Sequence, residues 1–270
     1  MVASVRVQRA SLVASFVLLA ASGCGTVTST PFAPVDAAPR DGGEAGAVGC
    51  GGVSMNDCPA GLEPWEPMNL APAPMSMEGD PFPEALSFAR RSWVIPGTTM
   101  RTSSVHARAF IKRPIAAVWA AARDPQTGRD PTASQGFGVR AYNTDPTFAF
   151  TYRTHVTVNA VITLMWDVDW RHGVVDGTIE APRVTAARWQ KTMGSSEIEL
   201  IEGSLMLRAV DGQPDVTEVL YQYHLKAPFS SNETIVDYLT VIFGRLKDKA
   251  HGRTLVPNDC AGCPMAPPGY

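Results

Sequence analysis

The sequence predicts an α+β domain: an antiparallel β-sheet that buries one aromatic face against a single long C-terminal helix. Three observations predict it. Residues 148–158 and 164–172 alternate between apolar and polar positions, the period of a half-buried strand. Residues 232–251 carry Ile235, Leu239, Ile242 and Leu246 at helical spacing. No other stretch offers so long an amphipathic helix, so sheet and helix must cover one another.

Each element follows from local chemistry. Residues 84–92 read as a short helix. Residues 102–112 read as a strand, with Val105, Ala107, Ala109 and Ile111 alternating against Ser104, His106, Arg108 and Lys112. In the segment RPIAAVWAAARDP, Pro114 suits the first helical position, alanine favours helix, and Pro125 ends the run. Ile115, Val118 and Trp119 form its apolar face. A loop is expected from there to residue 147.

Strands then dominate. Phe148, Phe150, Tyr152, Thr154, Val156 and Val158 share one face, and Ala149, Thr151, Arg153, His155 and Thr157 the other. Leu164, Trp166, Val168 and Trp170 likewise oppose Asp167, Asp169 and Arg171. Further strands are expected at 184–192, 197–210 and 216–226. The last places Val219, Tyr221, Tyr223 and Leu225 on one face, and Asp211-Gly212 before it suits a hairpin turn. Ser230 to Glu233, reading SSNE, is a capping-box pattern for the long helix. Arg245, Lys247 and Lys249 complement its dipole, and Gly252 stops it.

Composition narrows the classes. The chain has 270 residues, 45% of them hydrophobic, and a formal net charge of −3. That is enough apolar mass for a core, which excludes extended disorder of the whole. The small charge argues against a nucleic-acid partner held by bulk electrostatics.

The N-terminus bears on location. Arg6 and Arg9 precede a 12-residue apolar stretch, residues 10–21. A spanning helix needs about 20 apolar residues, so this stretch fits a signal-peptide core instead. It runs into Ala21-Ser22-Gly23-Cys24, which resembles a bacterial lipobox, although Ala21 stands where leucine is commoner. The resemblance implies a lipoprotein signal peptide over residues 1–23 and lipidation of Cys24. It also implies a tether through several acyl chains, each buried methylene contributing about 0.8 kcal/mol. Gly25 after the cysteine implies the outer membrane of a bacterial envelope. Cleavage by an ordinary signal peptidase beside Ala20, Ala21 or Gly23 is the alternative.

Four cysteines remain: Cys50, Cys58, Cys260 and Cys263. An even number in an exported chain predicts two disulfides, with three pairings open. A bridge from the first two to the last two would close a loop of about 200 residues, worth about 4–5 kcal/mol of chain entropy. A redox centre at Cys260-Ala-Gly-Cys263 would need to open a helix, and Pro257, Pro264, Pro267 and Pro268 flank it. A four-cysteine zinc site fits poorly, because seven residues separate Cys50 from Cys58.

Residues 24–85 read as a Pro/Gly-rich linker, with ten prolines and nine glycines between 25 and 85. The alternative is that residues 61–85 pack on the domain as an irregular arm, for which Trp65, Met68, Leu70 and Phe82 are apolar enough. Residues 86–256 form the folded domain, and 257–270 a tail with cysteines and prolines.

The order of elements, with PIAAVWAAARDP after the first strand and SNETIVDYLTVIFGRLKDKA at the end, resembles the START-like superfamily, also called SRPBCC. That superfamily includes lipid-transfer domains, the birch-pollen allergen family and polyketide cyclases. The resemblance covers residues 100–252. It implies a helix-grip α+β fold, a curved antiparallel sheet wrapped around a long C-terminal helix, with an apolar cavity between them. The expected walls are Phe148, Phe150, Tyr152, Trp166, Val168, Trp170, Tyr221 and Tyr223 from the sheet. Ile235, Leu239, Ile242 and Phe243 come from the helix. A core filled solidly by these aromatics is the alternative.

Motifs for chemistry are few. Gly136 to Ala141 matches G-x-G-x-x-A but lacks the strand before and helix after that a dinucleotide site needs. P-loop, H-E-x-x-H and G-x-S-x-G patterns are absent. Asp167 and Asp169 share a face with Arg153, His155 and Arg171, which reads as a solvated charge ladder rather than a metal site. Among His106, His155, His172, His224 and His251, only His172 falls on the aromatic face, read as a rim position near a strand end. Arg188 and Glu202 are candidates for buried polar groups. No catalytic set, metal or cofactor is expected. The leading expectation is an envelope lipoprotein that binds a hydrophobic small molecule or lipid and meets the membrane through its anchor. Behind it stand a ligand-free interaction or structural module and a cyclase- or hydrolase-like enzyme.

Overall fold

The computed structural model describes residues 58–76, 79–94, 101–134, 136–159, 162–227 and 230–255. The expected signal peptide, Cys24, Cys50, Cys260, Cys263 and the tail from 257 lie outside the described residues.

Alternating segments pair into one sheet. Its strands are β1 (Ser87–Val94), β2 (Arg101–Ile111), β3 (Gly136–Tyr142), β4 (Phe150–Asn159), β5 (Thr163–Gly177), β6 (Pro182–Gly194), β7 (Leu200–Val210) and β8 (Gln213–Lys226). The pairing order is β1-β2-β8-β7-β6-β5-β4-β3, and each neighbouring pair is antiparallel. Helix α1 (Ile115–Ala122) follows β2, and α2 (Asn232–Ala250) follows β8. Register shifts between β5 and β6 at Asp167/Val168 and Val174/Asp176 mark bulges, the device by which long strands bend. The result is the α+β helix-grip architecture, a curved antiparallel sheet against its C-terminal helix.

The core forms where the two periodicities meet. Val105, Ala107, Ala109 and Ile111 of β2 are buried, as are Leu205, Leu207, Val219 and Tyr221 from β7 and β8. Over them lie Ile115, Val118 and Trp119 of α1 and Ile235, Leu239, Ile242, Phe243 and Leu246 of α2. Burying each large aliphatic side chain contributes about 1.5–3 kcal/mol, which outweighs the weak helix preference of the β-branched residues on α2. The helix starts one residue later than its capping pattern suggests. Ser231 Oγ accepts the Thr234 N–H at 3.2 Å, while Ser230 Oγ donates to the Ala227 carbonyl at 2.8 Å.

Two expectations are corrected. The segment 84–92 is not a helix; Ser87–Val94 is an edge strand zipped to β2. Its ladder to β2 satisfies the backbone, and that long-range pairing overrides a local pattern with weak periodicity. The loop assigned to 126–147 contains β3, which pairs only with β4. Gly136 admits Thr157 there: an added Cβ would sit 3.1 Å from that residue's Cβ.

Between the packed arm and the free linker, the structure has the arm from Cys58 to residue 76. Leu62, Met68 and Ala71 are buried on the outer face of the sheet, where Met68 joins Val184, Met206 and Leu220. Trp65 Nε1 donates to the Gly203 carbonyl at 3.2 Å, and the Arg188 guanidinium lies 3.5 Å over the Trp65 ring. Glu63 pairs with Arg188 at 3.1 Å. Glu66 of the arm reaches His106 at 3.5 Å and His224 at 2.7 Å, so the arm covers polar residues that alternation assigns to solvent; Ser104 and Gln222 on the same side are buried as well.

Candidate functional site

The inner side of the sheet divides into two parts. Toward α1 it is filled by the core described above. Toward β3–β6 and the first turns of α2, a cavity of about 550 Å³ remains. Thr154, Val156 and Val158 of β4 line it, with Leu164, Trp166, Val168 and Trp170 of β5, Trp189 of β6, and Tyr223 and Leu225 of β8. Ile235 and Tyr238 of α2 close it from above, and the loop from Gly128 to Ser134 forms one side with Phe137 of β3. The volume lies within the roughly 300–1,000 Å³ typical of small-molecule sites, and the apolar lining suits an apolar ligand body.

The expected wall residues part company. Trp166, Val168, Trp170, Tyr223 and Ile235 line the cavity. Tyr152, Tyr221 and Ile242 instead line a separate void of about 20 Å³, together with Trp170 and His172. Phe150, Leu239 and Phe243 are buried in the solid core. Phe148 is corrected outright: β4 begins at Phe150, so the alternation does not reach it. Its ring packs on Gly61 of the arm, with the Arg171 guanidinium 5.4 Å away.

His172 is corrected as well. Because β5 runs on to Gly177, His172 sits inside the strand, 1% exposed rather than on a rim. Its ring stacks on Tyr152 with centroids 5.6 Å apart and lies 5.8 Å from Phe150. Neither ring nitrogen has a hydrogen-bond partner among the described residues. Burial, and then the nearby Arg123 charge, push its pKa down to about 3, which keeps the ring neutral at ordinary pH.

The polar parts of the cavity are specific. Trp170 Nε1 donates to Thr154 Oγ1 at 3.2 Å, and Tyr238 Oη donates to the Gly128 carbonyl at 2.8 Å. Burial raises the Tyr223 and Tyr238 phenol pKa, so both stay protonated. Arg129 is 2% exposed, donates through Nε to Ser134 Oγ at 3.3 Å, and lies 5.6 Å over the Phe137 ring. Burial lowers its pKa, yet a guanidinium starts so high that it remains charged.

The charge ladder behaves as a structural feature. Arg153 forks Asp169 at 2.5 and 2.8 Å, and Asp167 takes His155 at 2.6 Å and Arg140 at 3.2 Å. Arg188 and Glu202 both face outward beneath the arm, Glu202 holding His224 Nδ1 at 2.8 Å. Among the described residues, no group of three or more His, Cys, Asp or Glu side chains is arranged to hold a metal.

Sequence reasoning missed Trp189, Phe137, Tyr238 and Arg129. For Trp189 a signal existed: β6 pairs it directly with Trp170, and their rings stack at 4.7 Å. Arg129 follows a 3-10 turn, Pro125–Gly128, in a segment without periodicity, and nothing local marks it.

No family model and no curated protein matches the sequence. Solved structures of similar outline do match. TTHA0849 from Thermus thermophilus aligns at 13% identity and TM-score 0.40, over 55% of this chain and 97% of that one. The human StarD13 (DLC2) lipid transfer and protein localization domain aligns at 8% identity and TM-score 0.40, over 62% and 83%. The Zhui aromatase/cyclase from a Streptomyces species aligns at 12% identity and TM-score 0.35, over 56% and 92%. The element order and sheet topology of this chain are those of a helix-grip α+β fold.

Proposed function

We propose that this chain is an exported, lipid-anchored envelope protein whose START-like domain binds or carries a hydrophobic small molecule or lipid. The observation that carries the reading is the cavity of about 550 Å³ walled by Trp166, Trp170, Trp189, Tyr223 and Ile235. An apolar lining of that extent offers dispersion contacts to the body of a hydrophobic ligand. The disulfide bond on Cys58 supports an oxidising compartment outside the cytoplasm. The anchor rests on Cys24 and the apolar stretch before it, and the outer membrane on Gly25.

A ligand-free interaction module would suit a solidly filled interior, and the cavity weighs against it. A cyclase-like reading would need a polar pair facing the ligand space. His172, the residue suited to it, lines the small void instead and is held neutral.

Organic extraction of protein purified from its own membranes, followed by mass spectrometry, tests the binding reading. A copurifying apolar molecule, or saturable binding of a lipophilic dye displaced by it, is the expected result. Absence of both overturns it. Labelling of Cys24 by an alkyne fatty acid, lost in Cys24→Ser, tests the anchor separately.

A further inference from the structure

The cavity holds one feature that an apolar ligand alone does not explain. Arg129 lines it, is 2% exposed, and has no carboxylate partner among the described residues. Nε has one neutral acceptor, Ser134 Oγ, and Nη2 is buried with no hydrogen-bond partner among the described residues. A buried guanidinium without a counter-ion is costly, and natural structures pair such groups or use them to bind anions.

Neighbouring charges do not supply the missing partner. Asp130 is next in sequence, but its Oδ1 accepts the Thr132 N–H at 2.8 Å, the Thr132 hydroxyl at 2.6 Å and the Ala133 N–H at 3.3 Å. Asp237 also lines the cavity, from an exposed position on α2. Arg245 adds a second positive charge close enough to disfavour ionisation of Arg129. Its Nε is spent on the Gln126 carbonyl at 2.8 Å, and its buried Nη2 also has no partner among the described residues.

We infer that the ligand of this cavity is an anionic amphiphile, whose carboxylate or phosphate head meets the Arg129 guanidinium while its apolar body lies against Trp166, Val168 and Trp170. The inference rests on the binding reading given above and adds the head group to it. The planar fork of arginine suits both anions, and a charge-assisted hydrogen bond in a water-poor site is strong. The 130–134 turn, held by Asp130, presents the Ser134 hydroxyl beside the same guanidinium. Asp130 and Asp237 would repel a second negative charge, so a singly charged head is favoured over a multiply charged one.

The test uses the mature full chain and three probes of equal chain length: dodecanoate, dodecyl phosphate and dodecan-1-ol. Binding is read from quenching of the cavity tryptophans and by calorimetry. Wild type is expected to bind at least one anion about tenfold more tightly than the alcohol. Arg129→Gln is expected to abolish that preference, so that the anions and the alcohol bind the variant with affinities within about twofold of one another. The anion that gains the advantage identifies the head. Equal affinity of all three for wild type overturns the head-group inference but leaves a hydrophobic site. Binding of none overturns both. Should Arg129→Gln fail to fold, the wild-type comparison still decides, and Ser134→Ala is expected to weaken the anion alone.

Discussion

Gly203 on β7 is where the cavity wall is most exposed to a single methyl group. A Cβ added there would lie 2.1 Å from Trp189 Cζ2, 2.4 Å from Cε2 and 2.6 Å from the Gln222 carbonyl oxygen. Ordinary contact begins at 3.4 Å, so the indole would have to retreat by more than an ångström. Its ring stacks on Trp170 at 4.7 Å, so the retreat breaks that stack or carries the indole into the cavity it lines. The Gln222 carbonyl belongs to β8 and cannot withdraw without straining the β7–β8 ladder, where Gly203 pairs with Tyr223. Overpacking of this kind costs about 1–3 kcal/mol, and a backbone clash argues for the upper half. With a urea slope of about 2 kcal/mol per molar, Gly203→Ala should lower the unfolding midpoint by about 1 M. Near-ultraviolet circular dichroism should change with it, since the Trp170–Trp189 stack is disturbed. A displaced Trp189 also intrudes on the cavity, so affinity for a lipophilic dye should fall. A wild-type midpoint and an unchanged tryptophan spectrum together would refute the claim that Gly203 is there to seat Trp189.

Other outcomes follow from the same packing. Gly244 on α2 faces open space, so Gly244→Ala should stabilise the fold by up to about 1 kcal/mol in the same urea titration. Leu239 is fully buried, and Leu239→Ala should cost about 2–5 kcal/mol, read as a lowered midpoint. The arm should loosen on both sides of a pH window. Burial alone would lower the His224 pKa, but hydrogen bonds with Glu202 and Glu66 outweigh it and raise the value above 6.5. Burial alone would likewise raise Glu66, but His106 and His224 outweigh it and hold it well below 4.5. A raised histidine stabilises fully below its unfolded value and loses that contribution as pH climbs through its folded one. A lowered carboxylate stabilises above its unfolded value and loses that contribution as pH falls. Protection of the arm should therefore be greatest between pH 4.5 and 6.5, and hydrogen exchange at residues 62–71 should report it. His224→Gln should flatten the alkaline side.

Alternation made most of the sheet legible. It located β2, β4 and the later strands because each presents an apolar row to one side, and the stripe on α2 says what covers that row. It failed where strands lack such a row. SFARRSWV has two adjacent arginines and GFGVRAY two glycines, and both are edge strands defined by one neighbour. It also failed for the outer face. Residues such as His106 and His224 look solvated until the arm folds over them, where Glu66 reaches His106 at 3.5 Å and His224 at 2.7 Å, the second contact bridging 158 residues. The site was partly legible for a related reason. Periodicity tells which face Trp166 and Tyr221 share, but not where along that face the packing stops. Tyr221 meets α1 and α2 in the packed half, whereas Trp166 lies beyond them and borders the cavity. Arg129 belongs to no repeat at all, so only its burial reveals it.

The arm gives the fold a particular mechanical character. β1 is an edge strand with a single neighbour, and a chain pulled from its N-terminus would peel such a strand one rung at a time. Here any tug from the N-terminal side meets Glu63 on Arg188, Trp65 on Gly203 and Glu66 on His224 before it reaches Ser87. Those anchorages sit on β6, β7 and β8, in the middle of the sheet. The strain of a leash is thus shared by central rungs that must yield together, and the vulnerable hem of the fabric is spared.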